Sequence, residues 1–273
     1  MSRDTVVMAQ LEIEGCAAEL YVNGVPTSRL LPEPGRLPVE NLAVEQLLVP
    51  GDNSLELLVE PGDRPSEARR QKVEQSFRPM RAVGRLVRYR EGEDTAPGDG
   101  ETLLEVAFAW SDASLDRRMM PTSNAKTISL GAAHGRWAWQ DAPELVEGEA
   151  LVAEACALLD QVELAVRTGN ADRLYALSEA QILDVLHAYP ALSAEFLRGD
   201  LVAMLQHYQK GPEPVVARDP SKHDFRVVAG GKLLQLVDVD WTPSFKLRDP
   251  VDRSEIGYPM FLARLGGELR IVR

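Results

Sequence analysis

Apolar and polar residues alternate along most of the first half of this chain, then recur at helical spacing through its middle, then alternate again to the end. Residues 5–14 alternate well enough for a half-buried strand, and after Gly15 a second strand covers 18–22. Asn23-Gly24 stops it; such a pair tolerates the positive φ angles of a two-residue hairpin turn, so 25–28 should return antiparallel. Residues 30–38 hold three prolines and a glycine and predict an extended loop, because proline cannot donate to a sheet ladder. The apolar stretch 44–49 leads into Pro50-Gly51-Asp52-Asn53, a turn by composition, ahead of a strand at 55–60 and a break at Pro61-Gly62. Residues 80–90 and 101–110 read as paired strands joined by the acidic, glycine-rich tip 91–100, and 125–130 adds another. No helix lies between these strands to make a crossover, so a sandwich or jelly-roll is expected rather than a parallel sheet.

Composition changes over 131–143, with His134-Gly135, Trp137 and Trp139, and a domain boundary belongs there. Beyond it Leu151, Ala155, Leu158, Leu159, Val162, Ala165 and Val166 form one apolar stripe, predicting a helix over about 143–168 that Gly169-Asn170 stops. A short helix is expected at 172–177. Ser178 with Gln181 makes a capping-box pattern opening another to Pro190, and Ser193 caps a third that ends at Gly211-Pro212. Strands then return at 215–217, 225–229, 232–241, 244–247, 258–265 and 268–272, with Gly230-Gly231 and Gly266-Gly267 where hairpins need permissive backbone. The expected architecture is a jelly-roll-like β-sandwich at residues 1–135 and an α+β domain at 143–273, its helices in 143–210 and an antiparallel meander in 214–273.

The stretches LYVNGVP (20–26) and LLVPGDNSLELLVE (47–60) resemble the strand-turn pattern of jelly-roll accessory domains in glycosidases. The resemblance covers about 40 residues and implies a sandwich in which Asn23-Gly24 makes a hairpin and the Pro-Gly-Asp-Asn turn precedes a core strand. It brings no sugar-binding residues, and carbohydrate binding is not expected. The element order of the second half is coarsely similar to the NTF2-like cone, whose helices are normally interrupted by a hairpin that this sequence lacks.

Charge and composition narrow the function. No apolar run is long enough to span a bilayer, and the start MSRDTVVMAQLEIEG has no secretory pattern, so a cytoplasmic, non-membrane protein is expected. Cys16 and Cys156 are too far apart for a disulfide framework or a metal-ligand spacing and read as reduced structural thiols. The net charge of −12 opposes nucleic-acid binding. Against it stands a strip from Arg64 to Arg90 with nine basic residues and only Glu67 and Glu74, of which Arg81, Arg85, Arg88 and Arg90 are candidates for a partner surface.

Motifs for chemistry are missing. Neither a phosphate-binding loop nor a GxSxG elbow occurs, and His134, His187, His207 and His223 are scattered without HExxH or CxxC, so neither metal nor cofactor is expected. Asp184 and His187 lie one helical turn apart and could pair, although solvation of both is the simpler reading. His207, at a helix end, is expected to meet terminal carbonyls. Asp238 and Asp240 on the 232–241 strand would point to one side, about 7 Å apart, marking either the strand's exit from the core or a pocket. With Trp241 and His187 they are the pocket candidates. Trp137, Trp139, Trp241 and Tyr258 are expected in packing. The function expected is non-enzymatic binding of a protein, of the bacterial toxin-neutralising (immunity) type; the alternative is a small-molecule-binding protein or enzyme with a pocket in the α+β domain.

Overall fold

The structure is a computed structural model that describes residues 5–33, 35–60, 71–74, 79–90, 92, 99–110, 117–131 and 135–273, with the backbone alone at 60, 71–74 and 117–120. Pro61-Gly62, Arg64, Arg69, Arg70, Arg78, His134 and most of the 91–100 tip lie outside the described residues. The chain divides into two compact units, Met1–Arg136 and Trp137–Arg273. Among the described residues it is mostly antiparallel sheet with four α-helices, a sheet-rich α+β fold. No helix among them is long and apolar enough to cross a membrane.

The first unit comprises β1 (Thr5–Glu14), β2 (Ala17–Val22), β3 (Val25–Leu30), β4 (Val39–Ala43), β5 (Gly51–Glu60), β6 (Gln71–Glu74), β7 (Met80–Arg90), β8 (Glu101–Trp110), β9 (Arg117–Met120) and β10 (Thr122–Leu130). Two four-stranded sheets result, in the orders β4-β1-β7-β8 and β10-β5-β2-β3, while β6 pairs with β9. Alternate residues are buried as a two-residue period requires: Val7, Ala9, Leu11 and Ile13 in one sheet, Leu55, Leu57 and Val59 in the other. The two inner faces meet at Gly84 of β7, where a Cβ would collide with the Leu20 side chain of β2.

Asn23 (φ 52°) and Gly24 (φ 73°) both take positive φ and close the β2–β3 hairpin as their residue types demand. The turn expected at 50–53 is narrower. β5 already begins at Gly51, and fully buried Asn53 stays in the ladder opposite Ile128 while its side chain makes the turn. Its Oδ1 accepts from the Val49 N–H and from Asn23 Nδ2, and its Nδ2 donates to the carbonyls of Val49 and Gly51. Asn23 in turn donates to Leu47 O and accepts from the Ser54 N–H. The 44–49 stretch contains a single 3-10 turn, Glu45–Leu47, and the strand before it, β4, lacks alternation strong enough to be seen in the sequence.

In the second unit a 3-10 turn (Ala138–Asp141) precedes α1 (Glu149–Arg167), α2 (Ala171–Leu177), α3 (Glu179–Ala188) and α4 (Ala194–Tyr208). The first helix starts six residues later than its stripe suggests. Pro143 and Gly148 (φ 152°) keep the intervening segment extended, and the Leu145 N–H donates to Gly231 O at 2.7 Å. Asn170 and Ser193 cap α2 and α4 by accepting from the N–H groups of Arg173 and Phe196. Ser178 makes no such bond. It closes α2 and opens α3 at once, so its backbone (φ −101°, ψ 9°) is not in the extended conformation a side-chain cap needs.

The expected meander is broken. β11 (Arg226–Val228), β12 (Leu233–Gln235), β15 (Phe261–Leu265) and β16 (Glu268–Ile271) form one sheet, and β13 (Lys246–Arg248) with β14 (Glu255–Gly257) forms a separate hairpin. The 232–241 strand ends at Gln235, and 215–217 contributes only an isolated bridge, Val215 to Leu247. The core of this unit is the α1 stripe packed with Leu234, Leu236, Leu247, Leu262 and Ile271.

Candidate functional site

On α1, Cys156 sits at the edge of the buried stripe, half-buried, with Asp160 and Glu163 four and seven residues further along the same line. The segment after α4 runs past that line. Arg218 donates through Nε to Glu163 and through Nη2 to Asp160. Asp219 then caps a 3-10 turn, Pro220–Lys222, accepting from the Ser221 N–H at 3.1 Å. This turn delivers His223, whose Nδ1 lies 3.8 Å from Cys156 Sγ. Its ring is held by stacking on Phe225, centroids 4.7 Å apart.

Residues 222–224 also pair with 237–239: the Val239 N–H donates to Lys222 O, the Asp224 N–H donates to Val237 O, and His223 and Asp238 form an antiparallel bridge. Opposed residues in such a bridge point to the same side, so Asp238 stands beside the imidazole. Asp238 is buried and accepts from Ser244 Oγ at 2.8 Å and from Lys246 Nζ at 3.1 Å. His223 Nε2 is buried without a hydrogen-bond partner. Burial, aided by the nearby Arg218 guanidinium, lowers the imidazole's proton affinity, while the Asp238 and Asp219 carboxylates pull the other way.

The sequence-derived pocket residues do not gather. The chain turns between Asp238 and Asp240; the latter is exposed, and its carboxylate accepts from the Thr242 N–H and hydroxyl, which with burial opposing holds it below the ordinary range. Trp241 takes a positive φ of 67° in this turn, and the Arg226 guanidinium lies over its ring at 4.7 Å. His187 belongs to a different neighbourhood, edge-on to buried Trp137 with ring centroids 5.4 Å apart. His207 does not serve the helix carbonyls; its Nε2 lies 2.9 Å from the carboxylate of Asp249.

Three arginines of the basic strip, Arg81, Arg85 and Arg88, are engaged within their own sheet. Arg81 bonds Glu12, Arg85 reaches Glu105, Glu12 and Gln10, and Arg88 bonds Glu101. These are half-exposed pairs, worth about 0–1 kcal/mol each, and they offset three of the strip's nine cations. Cys16 is fully buried against Arg81 O, and burial pushes its thiol up to about 11. Among the described residues no group of three or more His, Cys, Asp or Glu side chains could hold a metal ion. Comparison with protein-family models, with curated proteins and with solved structures finds no match for this chain.

Asp184 is not simply solvated. Its two oxygens accept from the Ala138 N–H at 3.3 Å, fastening α3 to the 3-10 turn. Burial raises its carboxyl from 3.8 to about 6, against smaller opposing effects of that N–H and of His187. The folded chain therefore holds the proton more tightly than the unfolded one, and stability rises as pH falls from about 6 towards 4. Urea midpoints measured across this window should increase on acidification, and Asp184→Asn should flatten the increase while raising the midpoint at pH 7.

Proposed function

We propose that this protein works by binding a protein partner, as an accessory or toxin-neutralising (immunity-type) protein of a bacterial cytoplasm, with a jelly-roll-like sandwich joined to an α+β domain. The observation that carries this reading is the exposure of large apolar side chains on the helical layer, Leu183 of α3 and Phe196 of α4. On α3 Leu183 is 61% exposed while Ile182, Val185 and Leu186 are half-buried, and Phe196 on the adjoining α4 is 60% exposed. Apolar side chains left open in this way are what partner sites use. Charge supports the same choice: from Trp137 to Val166 the chain has seven acidic residues and no lysine or arginine, and although Asp160 and Glu163 pair with Arg218 and Glu154 with Arg264, the remainder favour a basic partner.

The test is affinity capture from native lysate with the full chain and with the double variant Leu183→Asp, Phe196→Asp. A basic protein retained by the wild type, released by salt and lost from the variant is the expected result. Retention of no protein, or equal retention by both, sinks the reading. The alternative, a small molecule or reaction held by the α+β domain, is favoured by buried Asp238 standing beside the unsatisfied His223 Nε2.

A further inference from the structure

Cys156 and His223 are 67 residues apart in sequence and within 3.8 Å in space, and nothing in the protein-binding reading uses them. A thiol becomes a nucleophile when a neighbouring group takes its proton. The neighbour here is held for that purpose by two independent restraints, the Phe225 stack on the ring and the backbone ladder of 222–224 with 237–239. Its lowered proton affinity favours the neutral imidazole, which has a lone pair to offer at Nδ1. In that tautomer Nε2 carries the hydrogen, buried and without a hydrogen-bond partner, and the Asp238 carboxylate acts on the ring through its charge. Of the other charges facing this corner, Arg218 is paired with Asp160 and Glu163, Lys246 with Asp238, and the Asp219 carboxylate accepts from Ser221.

The helix selects the chemistry. Cys156 lies in the middle of α1, where its backbone N–H is committed to the carbonyl four residues back, so it cannot stabilise the oxyanion of an acyl transfer. Displacement at sulfur develops no oxyanion. We propose that Cys156 is a covalent-modification site, a thiol that His223 deprotonates and that small aliphatic disulfides take as a mixed disulfide. His223 Nδ1 accepts the Sγ proton; Sγ attacks one sulfur of the disulfide; a new S–S bond forms as the old one breaks; and the departing thiolate recovers the proton from the imidazolium. The small disulfide is the oxidant. The only other cysteine, Cys16, is fully buried, so the adduct persists until an external thiol removes it.

The experiment treats the full chain at pH 7 with 2-hydroxyethyl disulfide and follows the adduct by intact mass and peptide mapping, folded and in urea. In the folded protein a single adduct should form at Cys156, about tenfold faster than at the same residue in urea, with Cys16 unreactive until unfolding. His223→Gln, with its circular dichroism unchanged, should remove most of that advantage. Reaction of folded Cys156 no faster than in urea, or an unchanged rate in His223→Gln, overturns the proposal; should His223→Gln not fold, the wild-type ratio decides alone. Partner capture is untouched by either outcome.

Discussion

Gly15→Val will destabilise the first unit by about 3 kcal/mol, from left-handed backbone and overpacking together. Gly15 lies where the chain leaves β1 for β2 and so passes from one sheet to the other, at φ 69°. A Cβ there would overlap the carbonyl oxygen of Pro79, which is backbone and cannot swing aside as a side-chain tip does. Gly35 provides the control: its φ is 76°, but nothing lies within 4 Å of its missing Cβ, so Gly35→Val carries only the backbone cost, about 1 kcal/mol. Amide exchange of β1, β2 and β7 at fixed denaturant should accelerate together in Gly15→Val and barely change in Gly35→Val. Equal exchange in the two variants would show that the close approach to Pro79 is not a constraint.

Asp238→Ala should cost about 2 kcal/mol, less than for a fully buried pair because Lys246 keeps some solvent. The loss comes less from the attraction removed than from what is left behind, a partly buried ammonium without its counter-charge and a hydroxyl that has lost the carboxylate it donated to. Lys246→Met, which strands the carboxylate instead, should cost a similar amount. The double variant Asp238→Ala, Lys246→Met should cost clearly less than the two losses added together. Urea midpoints of the four proteins check this, and additive losses in the double variant would contradict it.

Much of the first unit was legible from local pattern. Alternation located β1, β7 and β8, and Asn23-Gly24 located a hairpin, because a sheet with one buried face writes its period into the sequence. Asn53 shows the limit: as a residue type it signals a turn, and only its buried surroundings reveal a strand residue whose side chain makes the turn. In the second unit Gly148 outweighed the apolar stripe in setting where α1 begins, and the 232–241 run was read as one strand because its hydrophobicity continues where its hydrogen-bond ladder stops.

The candidate site was less legible. Asp238 stood out as a carboxylate in an apolar run, and Asp240 and Trp241 were grouped with it by proximity in a strand that the chain does not form. Cys156 and His223 carry no spacing signal, since the loop that joins them is positioned by Arg218 reaching across to α1. The lone hint was a cysteine interrupting a helix edge that also bears Asp160 and Glu163.

The interlocked amides of Asn23 and Asn53 decide which neighbours the strands of the second sheet can have. Between them they bind the 3-10 turn, the start of β5 and the tip of the β2–β3 hairpin in a closed circuit of six bonds. Shifting either strand by one residue would break the three bonds that join Asn23 to Leu47, Asn53 and Ser54, while those of Asn53 to Val49 and Gly51 are local to its own segment. A mispaired chain forfeits those cross-segment bonds, so the two asparagines act as proofreaders of alignment as well as supports of the finished fold.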